Sequence, residues 1–152
     1  MPDSIIITDA SPLIALIKIN KLEILDQLFD KILITDVVRD EVRSNLPEWI
    51  KVSSNYNLEQ KKLLELELDP GEASAISLAL GMPNSLLIID EKKGRKVAKR
   101  LGLKIIGTIG VVVKAKQQGV IPTAKEVLED LEKSGLWISQ ELKEDILDLL
   151  EE

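Results

Sequence analysis

Two short apolar runs in this chain break off at an acid. Ile5-Ile6-Ile7-Thr8 leads into Asp9, and Ser85-Leu86-Leu87-Ile88-Ile89 leads into Asp90 and Glu91. Runs of this length, the second preceded by the turn residues Met82-Pro83-Asn84, read as strands buried on both faces, the kind found in parallel sheets. Ligands of open parallel sheets bind beyond the carboxyl ends of the strands. Asp9 and Asp90 would then meet at one edge. Two more acids sit where helical spacing expects apolar residues. Glu41 shares a face with Val37, Val38 and Val42, and Glu72 heads the stripe Ala75, Ile76, Ala79 and Leu80. An inward charge is costly unless it is paired or binds metal. Gathered carboxylates raise one another's pKa, and a divalent cation removes that penalty. Such a site can activate water and stabilise the leaving oxygen of a phosphodiester.

Each acid also has a plainer reading. Glu41 could be half-buried against an arginine. Asp69-x-x-Glu72 has the form of a capping box, which would make Glu72 a helix-start residue. Asp9 could close its strand in an Asx-turn or cap the next helix, and Asp90 could be a helix N-cap. Four such acids converging on one edge is less expected by chance than any one of these.

The missing residue types narrow the chemistry. With no Cys and no His, thiol nucleophiles, disulfides, thiolate zinc sites and the commonest general base are excluded. Carboxylates alone select hard cations such as Mg²⁺ or Mn²⁺. A net charge of −6 argues against a basic nucleic-acid binder held by phosphate contacts alone. The helix after Asp90 is nevertheless basic: Lys92, Lys93, Arg95, Lys96, Lys99 and Arg100. Lys92, Lys93 and Arg95 lie nearest the acids and are candidate phosphate contacts, with Gly94 leaving room for close approach. The competing reading is a solvated face that offsets the acids.

Strands and helices alternate along the chain, which implies an α/β fold with a parallel sheet. Strands are expected at Ser4 to Thr8, Ile32 to Ile34, Leu86 to Ile89 and Leu103 to Ile106, with a short extended piece at Trp49 to Ser53. Helices are expected at Leu13 to Ile17 (Ser11 as N-cap, Pro12 first), Lys21 to Phe29, Asp36 to Ser44, Leu58 to Leu68, Asp69 to Leu80, Lys92 to Leu101 and Thr108 to Gln118. A capping box at Thr123 and Glu126 starts Ala124 to Lys133. Ser139 opens a last helix with Leu142, Ile146, Leu149 and Leu150 inward. The length of 152 residues, 45% hydrophobic, suits one domain with an aliphatic core. That domain spans 1–152, with a core of about 3–119 and a helical extension of about 123–151. No run is long enough for a membrane span and no signal peptide is evident, so a cytoplasmic location is expected.

These residues resemble the PIN-domain ribonucleases. The match is Asp9-x-Ser11 after the first strand, Glu41 in the third helix, Glu72 opening a helix and Asp90 after the next strand. The nearest likeness is to PIN-like toxins of the VapC type and, within them, a subgroup of uncharacterised PIN-like proteins. The subgroup likeness rests on Asp9-Ala10-Ser11-Pro12-Leu13-Ile14, Gly71-Glu72-Ala73-Ser74-Ala75-Ile76, Asp90-Glu91-Lys92-Lys93-Gly94-Arg95 and Ile106-Gly107-Thr108-Ile109-Gly110. It covers residues 3 to about 115.

The resemblance implies a three-layer α/β/α fold with a central parallel sheet and an Mg²⁺- or Mn²⁺-dependent endoribonuclease site. Asp9, Glu41, Glu72 and Asp90 become the acidic metal-binding quartet, and Ser11 the hydroxyl that supports the first acid. Glu stands at 72 where the family commonly has Asp, and Glu91 is a further acid that could share the metal. The resemblance also implies an RNA substrate and an antitoxin protein as partner; a homodimer is expected as well, and the tail helices, with Leu142, Ile146 and Leu150, could cover the core, form the dimer seam or accept an antitoxin segment. The rival from another class is a non-catalytic PIN-like module that holds RNA or protein. A phospho-acceptor receiver domain would need paired acids after the first strand, and a dinucleotide-binding fold would need G-x-G-x-x-G there; neither is present.

Overall fold

The structure, a computed structural model, describes residues 5–152. Ser4, expected to open the first strand, and the start of the core at about residue 3 lie outside them. Five strands form one all-parallel sheet: β1 (Ile5–Thr8), β2 (Lys31–Thr35), β3 (Ile50–Ser53), β4 (Ser85–Ile88) and β5 (Ile105–Ile106), in the order β3-β2-β1-β4-β5. Nine helices accompany them among the described residues: α1 (Ala10–Lys18), α2 (Glu23–Leu28), α3 (Asp36–Val42), α4 (Leu58–Leu64), α5 (Pro70–Leu80), α6 (Lys92–Arg100), α7 (Thr108–Gln117), α8 (Ala124–Lys133) and α9 (Gln140–Leu149). The α/β fold with a parallel sheet flanked by helices is thus as the alternation implied. Strand order runs one way from β1 through β2 to β3 and the other way through β4 to β5. The reversal lies between β1 and β4, and crevices open at such switch points.

Alternation along the strands divides the core. Ile6, Ile32, Ile34, Leu86 and Ile88 point to one face, where α1, α2, α7 and α8 cover them. Ile7, Leu33, Leu87 and Ile89 point to the other, against α5 and α6. This two-sided burial is why the strands read as unbroken apolar runs. Helix α5 is buried from Gly71 through Ala79, so its small residues let it lie close to the sheet. The C-terminal helices belong to the larger core. Leu128 and Leu131 of α8 are fully enclosed, each contributing about 1.5–3 kcal/mol.

Several local expectations are corrected. Helix α1 starts at Ala10 and its N-cap position is Asp9, not Ser11. Pro12 falls in the first turn, where its missing N–H has no partner to lose. Helix α3 stops at Val42 because Arg43 adopts a left-handed conformation, φ 57°. Helix α4 stops at Leu64 rather than Leu68. The capping box at Thr123 does not form. Glu152 takes its place, its carboxylate accepting from Ala124 N (2.7 Å) and Lys125 N (3.0 Å) with Lys116 Nζ 3.5 Å away. On α9 only Ile146 is buried; Leu142 and Leu149 face solvent and Leu150 packs at the margin. One helix laid over a finished core buries a narrow stripe, not its whole apolar set.

Candidate metal and active site

In-register pairing of β1 with β4 matches Thr8 to Ile88, so Asp9 follows one strand end and Asp90 lies one residue beyond the position opposite. The backbone ties them further, Asp9 N donating to Ile88 O at 2.9 Å. The two acids sit on neighbouring strands at the switch point, on one edge, as their positions after the apolar runs implied.

Asp9 is 4% exposed, and its Oδ1 is buried without a hydrogen-bond partner. Burial raises its pKa to about 7; the Ala10 backbone N–H works against this, while the charges of Glu72, Asp69 and Glu41 push the same way. The loss of hydration is the main cause and the crowd of carboxylates the second.

Glu72 serves two ends. Its plainer reading holds: Asp69 Oδ1 accepts from Glu72 N (2.8 Å) and Glu72 Oε1 accepts from Asp69 N (3.3 Å), a complete capping box. Yet the side chain is 4% exposed, and its second oxygen, Oε2, faces Gly94, where a Cβ would stand 3.2 Å from it. Burial raises the Glu72 pKa to about 7, and the charges of Asp69 and Glu91 add to the rise. Asp69 and Glu91 thus join the acidic neighbourhood. Glu91 also caps α6, accepting from Lys93 N at 3.3 Å.

Glu41 is not an inward residue: it is exposed at the rim. Only Val38 and Val42 of α3 are buried, a stripe one residue wide, and Glu41 lies beside it. The carboxylate folds over Gly71, where a Cβ would stand 2.6 Å from Oε2. Partial burial raises its pKa first, then Asp69, with the Gly71 N–H opposing. Thr35 and Ser74 hold α3 to α5 here. Thr35 Oγ1 accepts from Val38 N (3.1 Å) and shares a 2.7 Å hydrogen bond with Ser74 Oγ, which bonds Gly71 O at 2.8 Å when it donates there.

Asp90 is not the cap of α6. It reaches sideways to α7, where Oδ1 accepts from Thr108 N (2.7 Å) and Oδ2 from Thr108 Oγ1 (2.5 Å). Gly107 makes this approach possible, since a Cβ there would stand 2.9 Å from Asp90 Oδ1. Arg95 lies alongside, NH1 donating to Ile89 O at 2.7 Å.

The other expected residues scatter. Ser11 is exposed, and among the described residues no hydrogen bond joins it to Asp9. Helical spacing puts Lys92, Arg95, Lys96 and Lys99 along one cleft of about 230 Å³. Lys93 points elsewhere. Gly94 is buried against Ile89 and Glu72, so it serves close packing, not approach of a phosphate. Sequence reading did not place Asp69, Thr35, Ser74 or Thr108 in the site. The Asp69 capping pattern and the Gly107-Thr108 helix start were visible in the sequence; the Thr35–Ser74 bond links residues far apart in the chain and carries no local pattern.

No three acids among the described residues converge closely enough to hold an ion as they stand. Their chemistry nevertheless suits a hard divalent cation. The donors are carboxylates, one buried oxygen of Asp9 is unpartnered, and burial with mutual repulsion lifts Asp9 and Glu72 into the neutral range. Asp9, Glu72 and Glu41 could hold such an ion, with Asp90 beside them. No helix among the described residues is long and apolar enough to cross a membrane.

A family model described as DUF3368: PIN domain matches residues 5–152. No curated protein and no solved structure matches the chain.

Proposed function

Since the chain belongs to the DUF3368 PIN-domain family, we propose that it is an endoribonuclease, dependent on Mg²⁺ or Mn²⁺, that hydrolyses RNA phosphodiester bonds. The observation that carries this reading is the state of Asp9. Its Oδ1 is buried without a partner at the sheet's switch point, amid other carboxylates that oppose its ionisation. A fold does not keep so costly a group for stability, because an uncompensated buried charge opposes folding. A cation offsets that cost and gives the acid a task.

In this reading Asp9, Glu41 and Glu72 hold the ion, and Asp90 completes the set. Bound there, a divalent ion would supply Lewis acidity toward the phosphodiester and lower the pKa of water. Asp69 fixes Glu72 through the capping box. Gly71 leaves space for the Glu41 carboxylate. Thr108 orients Asp90 through both oxygens, and Arg95 lies where a phosphate flanking the cut could be held.

The toxin role is the finer part of the proposal. It rests on the likeness to VapC-type proteins and implies a cognate antitoxin and a homodimer. Exposed Leu142 and Leu149 on α9 supply apolar surface for either contact. Growth arrest on expression, absent with Asp9→Asn, supports the toxin; unimpeded growth with active enzyme sinks it. Gel filtration of Leu142→Glu/Leu149→Glu tests whether α9 is the dimer seam.

The experiment for the central reading is cleavage of total RNA with Mn²⁺, Mg²⁺ or EDTA, beside Asp9→Asn. Metal-dependent cleavage lost in the variant is expected. A second reading, the non-catalytic module, draws on the capping role of Glu72 and the bonding of Asp90 to Thr108, which occupy two of the four acids structurally. Calorimetry separates the two. Mn²⁺ binding lost in Asp9→Asn keeps the enzyme, while no Mn²⁺ binding by the wild type favours the module.

A further inference from the structure

Beside Asp90, on the side away from Asp9, the acidic site opens into a cleft of about 400 Å³. Its wall includes Asp90, Arg95, Gly107, Ile109, Leu136 and Trp137. That volume is in the range of small-molecule sites. Trp137 is 82% exposed. The other aromatics, Phe29, Trp49 and Tyr56, are buried or half-buried, so one of the few aromatic rings in the chain stands in solvent next to the candidate active site. The local cause is plain. Residues 136–139 form no helix or strand, Leu136 and Ile138 turn toward the core, and the residue between them must turn out. Alternation explains the direction but not the residue type, since a polar side chain would be exposed there at no cost.

Arg95 also lines the adjoining cleft formed with Lys92, Lys96 and Lys99. The two clefts therefore meet at one guanidinium. Its bond to Ile89 O fixes the fork, and a guanidinium carries more donors than that single bond uses. An exposed indole over aliphatic side chains, then a fixed Arg, then a row of lysines on an otherwise acidic protein makes a track of two chemistries. The first part suits the face of a nucleobase, the second a phosphate backbone.

We infer that Trp137 is a base-stacking residue of the RNA site: an unstacked base next to the cut lies against its indole while Arg95, Lys92, Lys96 and Lys99 hold the phosphates that follow. The inference rests on the ribonuclease reading and adds to it a residue that contacts the base. A paired base has both faces covered by its neighbours in the duplex, so only an unstacked one can use the indole. Trp137 is in this role a positioning and selectivity residue, and a base-stacking contact is tolerant of sequence because every base has a π-face.

The test is fluorescence anisotropy of a fluorescein-labelled, mixed-sequence oligoribonucleotide of about 12 nucleotides, single-stranded or annealed, with the full chain in EDTA so that binding is read without cleavage. Trp137→Ala is expected to weaken single-strand binding about tenfold or more. Trp137→Phe should stay within about threefold, because it keeps a ring, and duplex binding should not respond to either variant. The exposure of Trp137 means that both variants keep the fold, which circular dichroism would verify. Equal single-strand affinity for Trp137→Ala and the wild type overturns the inference, as does an equal loss on duplex. Failure of the wild type to bind single strands also overturns it. The ribonuclease reading is judged separately, by Mn²⁺-dependent cleavage and its loss in Asp9→Asn, and survives any of these outcomes.

Discussion

Asp9 and Asp90 occupy nearly equivalent places, each just past the end of one of two adjacent parallel strands, yet the fold treats them in opposite ways. Asp9 is enclosed, with an oxygen that meets no donor and carboxylates for company. Asp90 is half-exposed, and Thr108 satisfies both of its oxygens. The first opposes folding, a cost that the proposed cation would offset. The second clasps the start of α7 to the sheet, an acid at a helix N-terminus where N–H groups and dipole favour it. Position after a strand decides where a side chain is; neighbours that arrive from elsewhere in the chain decide what it does.

The contrast is most exposed to test by catalysis. Asp9→Asn should reduce RNA cleavage by about two orders of magnitude or more, as loss of an activating metal does, and abolish Mn²⁺ binding in calorimetry. Cleavage at wild-type rate would remove Asp9 from the site. In the absence of metal the same variant should be more stable than the wild type, because it deletes a buried charge. Asp90→Ala should do the reverse, losing about 1.5–3 kcal/mol in urea denaturation as its hydrogen bonds to Thr108 vanish. A shift of the same sign in both variants would break the distinction.

A second test uses pH. The carboxyls of Asp9 and Glu72 have ordinary values of 3.8 and 4.5 and are raised to about 7 in the fold. Between those limits the folded protein binds more protons than the unfolded chain, so stability falls as pH rises, and the penalty is complete above about 7. Metal-free protein should therefore melt about 5 °C or more higher at pH 5 than at pH 8. Asp9→Asn should flatten that slope, and Mn²⁺ should raise the melting temperature more at pH 8 than at pH 5. A slope unchanged in the variant would mean that the pH response comes from other groups.

Smaller effects sharpen the picture. Gly71→Ala places a methyl against the Glu41 carboxylate. Because Glu41 is at the rim, it can swing away, and stability should change by under about 1 kcal/mol while Mn²⁺ affinity drops several-fold. An unaltered Mn²⁺ titration would show that Glu41 is not a ligand. Lys96→Ala should weaken RNA binding by only a few-fold, but reduce the salt dependence by about one unit of slope. No change in slope would remove Lys96 from the phosphate track.

Much of this was legible in the sequence, for reasons that differ by element. The strands around Ile5–Thr8 and Ser85–Ile88 declare themselves because burial on both faces of a parallel sheet demands unbroken apolar runs. The capping box at Asp69 and Glu72 is visible because a four-residue pattern carries its own hydrogen bonds. The same pattern at Thr123 and Glu126 misleads, since Glu152 arrives from the far end of the chain and takes the helix N–H groups. Helical spacing placed Glu41 inward with its valine neighbours, but α3 buries only Val38 and Val42, and Glu41 lies just off that narrow stripe.

The sequence by itself determined the alternation of strands and helices, the acids at two strand ends, the basic face of α6 and, through the absence of His and Cys, a chemistry without imidazole or thiol. Those follow from short-range periodicity and residue type. Only the tertiary structure decided the strand order, the unpartnered oxygen of Asp9, the pairing of Asp90 with Thr108, the fold of Glu41 over Gly71 and the place of Trp137 beside Arg95. Each depends on which distant segment fills the space next to a side chain, and hydration and hydrogen bonding at a buried carboxyl are set by that neighbour, whatever its own sequence context.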